Sequence, residues 1–278
     1  MEITSAQNPR IKNLLLLQEK SRARREQGLF VVEGRRELEH CLEAGYEVDT
    51  VFVCPEIAGE EPLPSASLRD PVRANAPGRG SSPAIVTIPE ALYSKVAYRE
   101  STEGIIAEVR CRSLSLQELH LPENPLIMVL ESVEKPGNLG AVLRSADAAG
   151  ADAVLICDPL TDLYNPNLIR ASIGAVFTVP TVACSSEEAI AFLEARGIQI
   201  LTAQLQDSSL YYNVDMTRRT ALVMGTESTG LTPLWRKAAT AHIRIPMLGR
   251  LDSLNVSVSA AILLFEAVRQ RQVISQGR

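Results

Sequence analysis

After Pro125 the chain alternates short apolar runs with segments of helical periodicity. "LIMVLESV" opens this region as a nearly continuous apolar run, the pattern of a strand buried on both faces of a parallel sheet. A helix from Leu139 to Ala149 is predicted next, stopped by Gly150. Strand "AVLIC", a helix near Leu168 to Ala175, strand "VPTVAC" and a helix from Ser186 to Arg196 follow. Ser185 and Glu188 stand at capping-box spacing before the last of these, and Gly197 ends it. "IQILTAQL", "TALVMG" and "HIRIPM" predict three further strands, and an almost wholly apolar helix from Leu254 to Arg269 closes the pattern. The alternation predicts an α/β domain built on a mostly parallel sheet.

Ahead of Pro125 the signal is sparser. "LFVVEGRRELEHCLEAGYEVDTVFVC", from Leu29 to Cys54, reads strand, helix, strand, with Gly45 placed to close the helix; "GIIAEVR", from Gly104 to Arg110, adds a strand. From Ala58 to Ala84 the chain is dense in Pro, Gly, Ser and Ala without an apolar period, and a flexible surface insertion is expected there. "RSLSLQELHLPENP" is polar and ends in proline. These patterns divide the chain into an amino-terminal α/β domain over residues 1–111, a linker over 112–124 and a second domain over 125–278.

Composition agrees with two folded domains: 278 residues, 46% hydrophobic and 22% charged, suffice to bury a real core. No run of eighteen apolar residues occurs and a polar stretch follows Met1, which points to a cytoplasmic protein. Cys41, Cys54, Cys111, Cys157 and Cys184 are widely spaced and never form a C-x-x-C pair, so they read as reduced core thiols. His40, His120 and His242 are equally scattered, and no metal site is expected. The net charge of −5 argues against a polyanionic partner, yet between Met1 and Arg36 eight basic residues face four acidic ones. Such an arm can bind RNA phosphates by releasing counterions, with Arg22, Arg24, Arg25 and Arg35 as candidates. A solvated helix face has the same composition.

Open parallel sheets bind ligands beyond the carboxyl ends of their strands, which directs attention to three loops. The first carries "EKPGNLGAVLR" and the second "GTESTG", Gly225 to Gly230. The third, "PMLGRLDSLNVSVSA", sets Ser253, Asn255 and Ser257 among apolar residues. A dinucleotide site does not fit: G-x-G-x-x-G and the Walker sequence are absent, and Glu227 would repel a phosphate. A carboxylate beside glycine suits a cationic or hydrogen-bonding ligand better.

Together these loops resemble the three ordered motifs of the SpoU/TrmH family of RNA ribose methyltransferases. "NLGAVLR" matches N-x-G-x-x-x-R, "GTESTG" matches G-x-E-x-x-G, and "IPMLGRLDSLNVSVSAA" is similar to the long third motif. The amino-terminal "FVVEGRRELEHCLEAG" and "STEGIIAEV" resemble the ribosomal-protein-like RNA-binding domain that often precedes this catalytic domain; the 58–84 insertion departs from that pattern. The resemblance implies a SPOUT-type parallel sheet with a carboxyl-terminal trefoil knot, a homodimer, and S-adenosylmethionine as methyl donor to a ribose 2′-hydroxyl, with no metal. Ribosomal RNA of the 23S type is the implied substrate, the alternatives being transfer RNA or a non-catalytic RNA-binding or ribosome-assembly factor on the same fold.

By the same resemblance Asn138, Arg144, Glu227, Ser253 and Asn255 form the site, and Leu201, Thr202, Gly225, Ile245, Met247 and Leu254 line the cofactor. Family proposals make Arg144 the base, but a guanidinium does not lose its proton near neutrality, so a clamp on RNA phosphate and ribose is the expected role. Simpler structural readings stand beside these. Asn138 sits where a helix N-cap would, Glu227, Ser253 and Asn255 could also be caps, and the aliphatic residues could be plain core.

Overall fold

A computed structural model describes residues 1–59, 82–98 and 103–276, the side chains of 273–276 excepted. Most of the expected insertion therefore lies outside the described residues. The chain forms two compact units, Met1–Arg112 with Asp162–Thr178, and Ser113–Thr161 with Val179–Arg278.

The first unit begins with α1 (Pro9–Glu19) and α2 (Ser21–Gln27). The Asn8 side chain caps α1 by accepting the Arg10 N–H, with Pro9 at the first helical position, and the helix buries Ile11, Leu14 and Leu17. What reads in charge as a basic arm is thus a helix that supplies core. Strand β1 (Leu29–Glu33), helix α3 (Arg35–Glu43), strand β2 (Val48–Val53) and the single turn α4 (Pro55–Ala58) follow. Then come β3 (Ala84–Thr87), α5 (Glu90–Val96) and β4 (Ile105–Arg110). The sheet order is β1-β4-β2-β3, β4 running antiparallel to both its neighbours and β3 parallel to β2. Strand β3 and helix α5 are too short and too close to the proline-rich stretch to show a period in the sequence.

The second unit opens with β5 (Leu126–Glu131), buried at every position, then α6 (Pro136–Ala148) and β6 (Ala153–Cys157). The chain next gives α7 (Pro166–Ser172) and α8 (Ala175–Thr178) to the first unit. The single helix predicted near 168–175 is broken because Ile173 and Gly174 both take positive φ. A Cβ on Gly174 would meet His40 Nδ1 at 2.6 Å, so glycine is required there.

Back in the second unit come β7 (Thr181–Cys184), α9 (Ser186–Ala195), β8 (Gln199–Ala203), β9 (Ser209–Leu210) and β10 (Thr220–Met224). Helix α10 (Pro233–Ala238), β11 (Ala241–Arg244) and α11 (Val256–Gln276) complete the chain. The capping box at Ser185 and Glu188 is present in both directions. The sheet order is β7-β6-β5-β10-β8-β11-β9 and every pairing is parallel, as the apolar runs predict. Helices α6 and α11 pack on each other, and α11 also covers β10 and β5.

Candidate active site

Sheet register sets where the functional loops emerge. Met224 pairs with Leu130, Val223 with Thr202, and Ile243 with Ala203, so β5, β10, β8 and β11 end level with one another. The loops that follow leave from one edge of the sheet. Loop 225–230 is pinched shut: Thr226 and Gly230 bridge, and the Gly230 N–H donates to the Thr226 carbonyl at 3.1 Å. A Cβ on Gly225 would meet the Gly230 carbonyl carbon and oxygen at 2.3 Å. The bare Cα is therefore needed for closing the loop on itself, and the loop holds out Glu227.

Two segments, the starts of α6 and α11, converge on Glu227. Asn138 Nδ2 donates to Oε1 at 3.0 Å, Asn255 Nδ2 to the same oxygen at 2.9 Å, and the Val256 N–H reaches it at 3.5 Å. Lys135 Nζ donates to Oε2 at 3.0 Å. These bonds hold the carboxyl below its ordinary range, the Lys135 ammonium most and the Val256 N–H next.

Asn138 is not the cap of α6. That position is Lys135, and Asn138 lies inside the first turn with its side chain turned to Glu227. Asn255 does cap: its Oδ1 accepts the Ser257 N–H at 2.9 Å, which fixes the amide so that Nδ2 must face Glu227 and Asn138. One end of the Asn255 amide caps α11 and the other bonds Glu227. Ser253 and Arg144 stay outside the network. Ser253 Oγ donates to its neighbour Asp252 at 3.2 Å, and Arg144 is exposed, with no bonding partner among the described residues.

Beside Glu227 lies a cavity of about 340 Å³. Gly225, Ile245, Met247, Ser253 and Leu254 are on its wall. Leu201 and Thr202 are not. Both are fully buried inside β8, Thr202 sharing a 2.6 Å hydrogen bond with His242, and the β8 side of the wall is Ala203 to Gln206.

Sequence reasoning passed over two groups. Lys135 carried no signal beyond its charge. Glu131, 2% exposed, accepts the Thr232 N–H at 2.9 Å and the Thr232 hydroxyl at 2.6 Å, tying the end of β5 to the start of α10. A lone acid closing an apolar run was its only mark. No cluster of His, Cys, Asp or Glu able to hold a metal occurs among the described residues.

Of the basic candidates in the first unit, Arg22 and Arg25 are exposed, Arg22 pairing with Glu26 at 2.6 Å. Arg35 is partly exposed, and its main-chain N–H is bonded to the Glu103 carboxylate. Arg24 is withdrawn from this set: its side chain is 3% exposed, paired with Asp162 at 2.6 Å and bonded to the carbonyls of Leu17 and Gln18. A guanidinium so enclosed has no face left for a phosphate.

Residues 125–265 match the SpoU rRNA Methylase family, and residues 8–107 match the MRM3-like substrate binding domain. The 23S rRNA (guanosine-2′-O-)-methyltransferase RlmB of Escherichia coli is 41% identical over 61% of this chain and 72% of its own length. The 23S rRNA (uridine(2479)-2′-O)-methyltransferase of Streptomyces viridochromogenes is 30% identical over 96% of this chain and 92% of that protein. Among solved structures, an AdoMet-bound rRNA methyltransferase from Sinorhizobium meliloti superposes with a TM-score of 0.85 at 30% identity, covering 97% of both chains.

Proposed function

The chain belongs to the SpoU rRNA methylase family, and from that premise we propose that it transfers a methyl group from S-adenosylmethionine to a ribose 2′-hydroxyl of 23S-type ribosomal RNA. The observation that carries the reading is the meeting of Lys135, Asn138 and Asn255 on one carboxylate at the wall of a cavity of mixed apolar and polar lining. The wall suits this cofactor: Gly225, Ile245, Met247 and Leu254 would hold it, with the Glu227 carboxylate on the same wall to favour a cationic ligand. When bound, S-adenosylmethionine supplies a methyl group already activated on a sulfonium.

What remains for the protein is alignment and charge placement. Glu227 sets a fixed negative charge between the starts of α6 and α11. Asn138 and Asn255, locked on it, present a rigid polar edge to the incoming ribose. Arg144, one turn and more along α6 and unpaired, clamps the RNA phosphate. Ser253 on the cavity wall completes the set. The proton of the 2′-hydroxyl leaves through phosphate or water.

A threaded carboxyl end is supported by the path from β11, beyond β8, back to α11 packed on α6 and β5. A homodimer is supported by Val258, half-buried Ile262 and Phe265, a stripe at helical spacing along α11, with Leu248 and Leu251 exposed ahead of it. Among the described residues no helix is long and apolar enough to cross a membrane, and a ribosomal RNA substrate supports a cytoplasmic location.

Calorimetry in the presence of chelator should show S-adenosylmethionine binding, and ribose-methylation mapping of 23S RNA from cells with and without the protein should show one lost position. Folded protein that gives no binding heat at millimolar cofactor rules the enzyme out. Arg144→Ala should abolish methyl transfer and leave cofactor affinity unchanged; an active variant removes the clamp.

A further inference from the structure

Glu227 is bonded unevenly. Its Oε1 accepts N–H groups from Asn138, Asn255 and Val256, whereas among the described residues its Oε2 meets a single donor, the Lys135 ammonium at 3.0 Å. The donors on Oε1 come from the starts of two different helices, so the place of one carboxylate sets the spacing of the two amides. A carboxylate gathers N–H donors strongly only as an anion, since charge-assisted hydrogen bonds are roughly twice as strong as neutral ones. Asn138 and Asn255 bring no charge. Lys135 is the one cation bonded to Glu227 among the described residues, and it is the largest cause of the depressed carboxyl titration.

We propose that Lys135 is a positioning residue for the methyl transfer: by pairing with Glu227 Oε2 it fixes the carboxylate on which Asn138 and Asn255 are aligned. This rests on the function proposed above. The rival role for a lysine whose side chain is 72% exposed is a direct contact with an RNA phosphate. Geometry favours the pairing, because the ammonium already stands at ion-pair distance from the one carboxylate oxygen that no amide satisfies.

Lys135→Met and Lys135→Arg in the full chain test it. The side chain is exposed and the turn is held by backbone bonds, so both variants fold. At saturating RNA and cofactor the Met variant should lose about two- to fivefold in kcat, the scale of an exposed ion pair, while RNA affinity and its salt dependence stay unchanged. The Arg variant should recover most of the loss. Carbon-13 titration of the Glu227 carboxyl, with neither RNA nor cofactor present, should move to higher pH in the Met variant and return in the Arg variant. The acid limb of kcat should follow it.

An unmoved Glu227 titration overturns the proposal. So does unchanged kcat with weaker, less salt-dependent RNA binding, which makes Lys135 a phosphate contact. A wild-type protein that binds RNA but transfers no methyl group overturns the function itself and this role with it. Transfer by the wild type with no kcat loss in Lys135→Met overturns the role alone.

Discussion

Glu108 shows how much one buried side chain can decide. It is 6% exposed in β4, opposite Thr50, with Asn13 Nδ2 3.4 Å from its Oε1. Burial pushes its carboxyl up from 4.5 to about 7 and Asp49 adds to this, while Asn13, Arg10 and Thr50 act the other way. A raised carboxyl favours the folded state below the unfolded value of about 4.5, and that contribution is lost as pH rises through 7. The full span is on the order of 3 kcal/mol. Glu108→Gln keeps the partner and removes the titration, so it should match wild type near pH 4.5 and be more stable by about 1–3 kcal/mol at pH 8. Denaturant melts at the two pH values check this; equal pH slopes for both proteins would contradict it. Residues of this kind are hard to see in a sequence. Asn138, Glu227 and Asn255 were legible because three motifs fixed their spacing. Burial of Arg24 and pairing of Lys135 depend on contacts distant along the chain, which local charge does not reveal.

At the scale of elements, the legible parts were those with enough length to repeat. Strands β5, β6, β8 and β10 declare themselves as apolar runs, and α9 through its capping box. The two-residue β9 shows no period at all. Helix α11 begins at Val256, two residues later than its apolar pattern suggests, because Asn255 stops it on the amino side. Its outer stripe carries the dimer expectation. Phe265, 48% exposed, is the largest apolar side chain on that stripe. Phe265→Lys would place a charge in a buried apolar contact, and sedimentation should then show the monomer where the wild type shows the dimer. Identical sedimentation of the two would put the partner elsewhere.

For the whole molecule, the net charge of −5 conceals one basic stretch, Met1 to Arg36, where eight basic residues face four acidic ones. With Arg24 enclosed, Arg22 and Arg25 are the residues to remove. Arg22→Ala with Arg25→Ala should weaken RNA binding and lower its salt slope by roughly two phosphate contacts, cofactor affinity being unaffected. Affinity measured at several salt concentrations decides, an unaltered slope leaving these arginines without a binding role. Two folded regions were readable from the change of pattern near Pro125. The attachment of Asp162–Thr178 to the first unit was not, because α7 and α8 look like any crossover between strands.

That attachment has a consequence for how the protein is made. Arg24 needs Asp162, and Phe30, fully buried, stacks on Tyr164 at 4.1 Å and lies 5.8 Å from Phe177. A chain ending at Arg112 would keep a buried guanidinium without its anion, at a cost of about 3–5 kcal/mol, besides the uncovered ring. Such a fragment should melt without a cooperative transition, and joining residues 162–178 to it through a flexible linker should restore one in urea titration. On the ribosome the same dependence sets an order: the unit whose residues emerge first cannot finish folding until Thr178 is out. At about 5–20 residues per second it waits roughly 3–13 s, half-built, while the first strands of the catalytic sheet are already being synthesised.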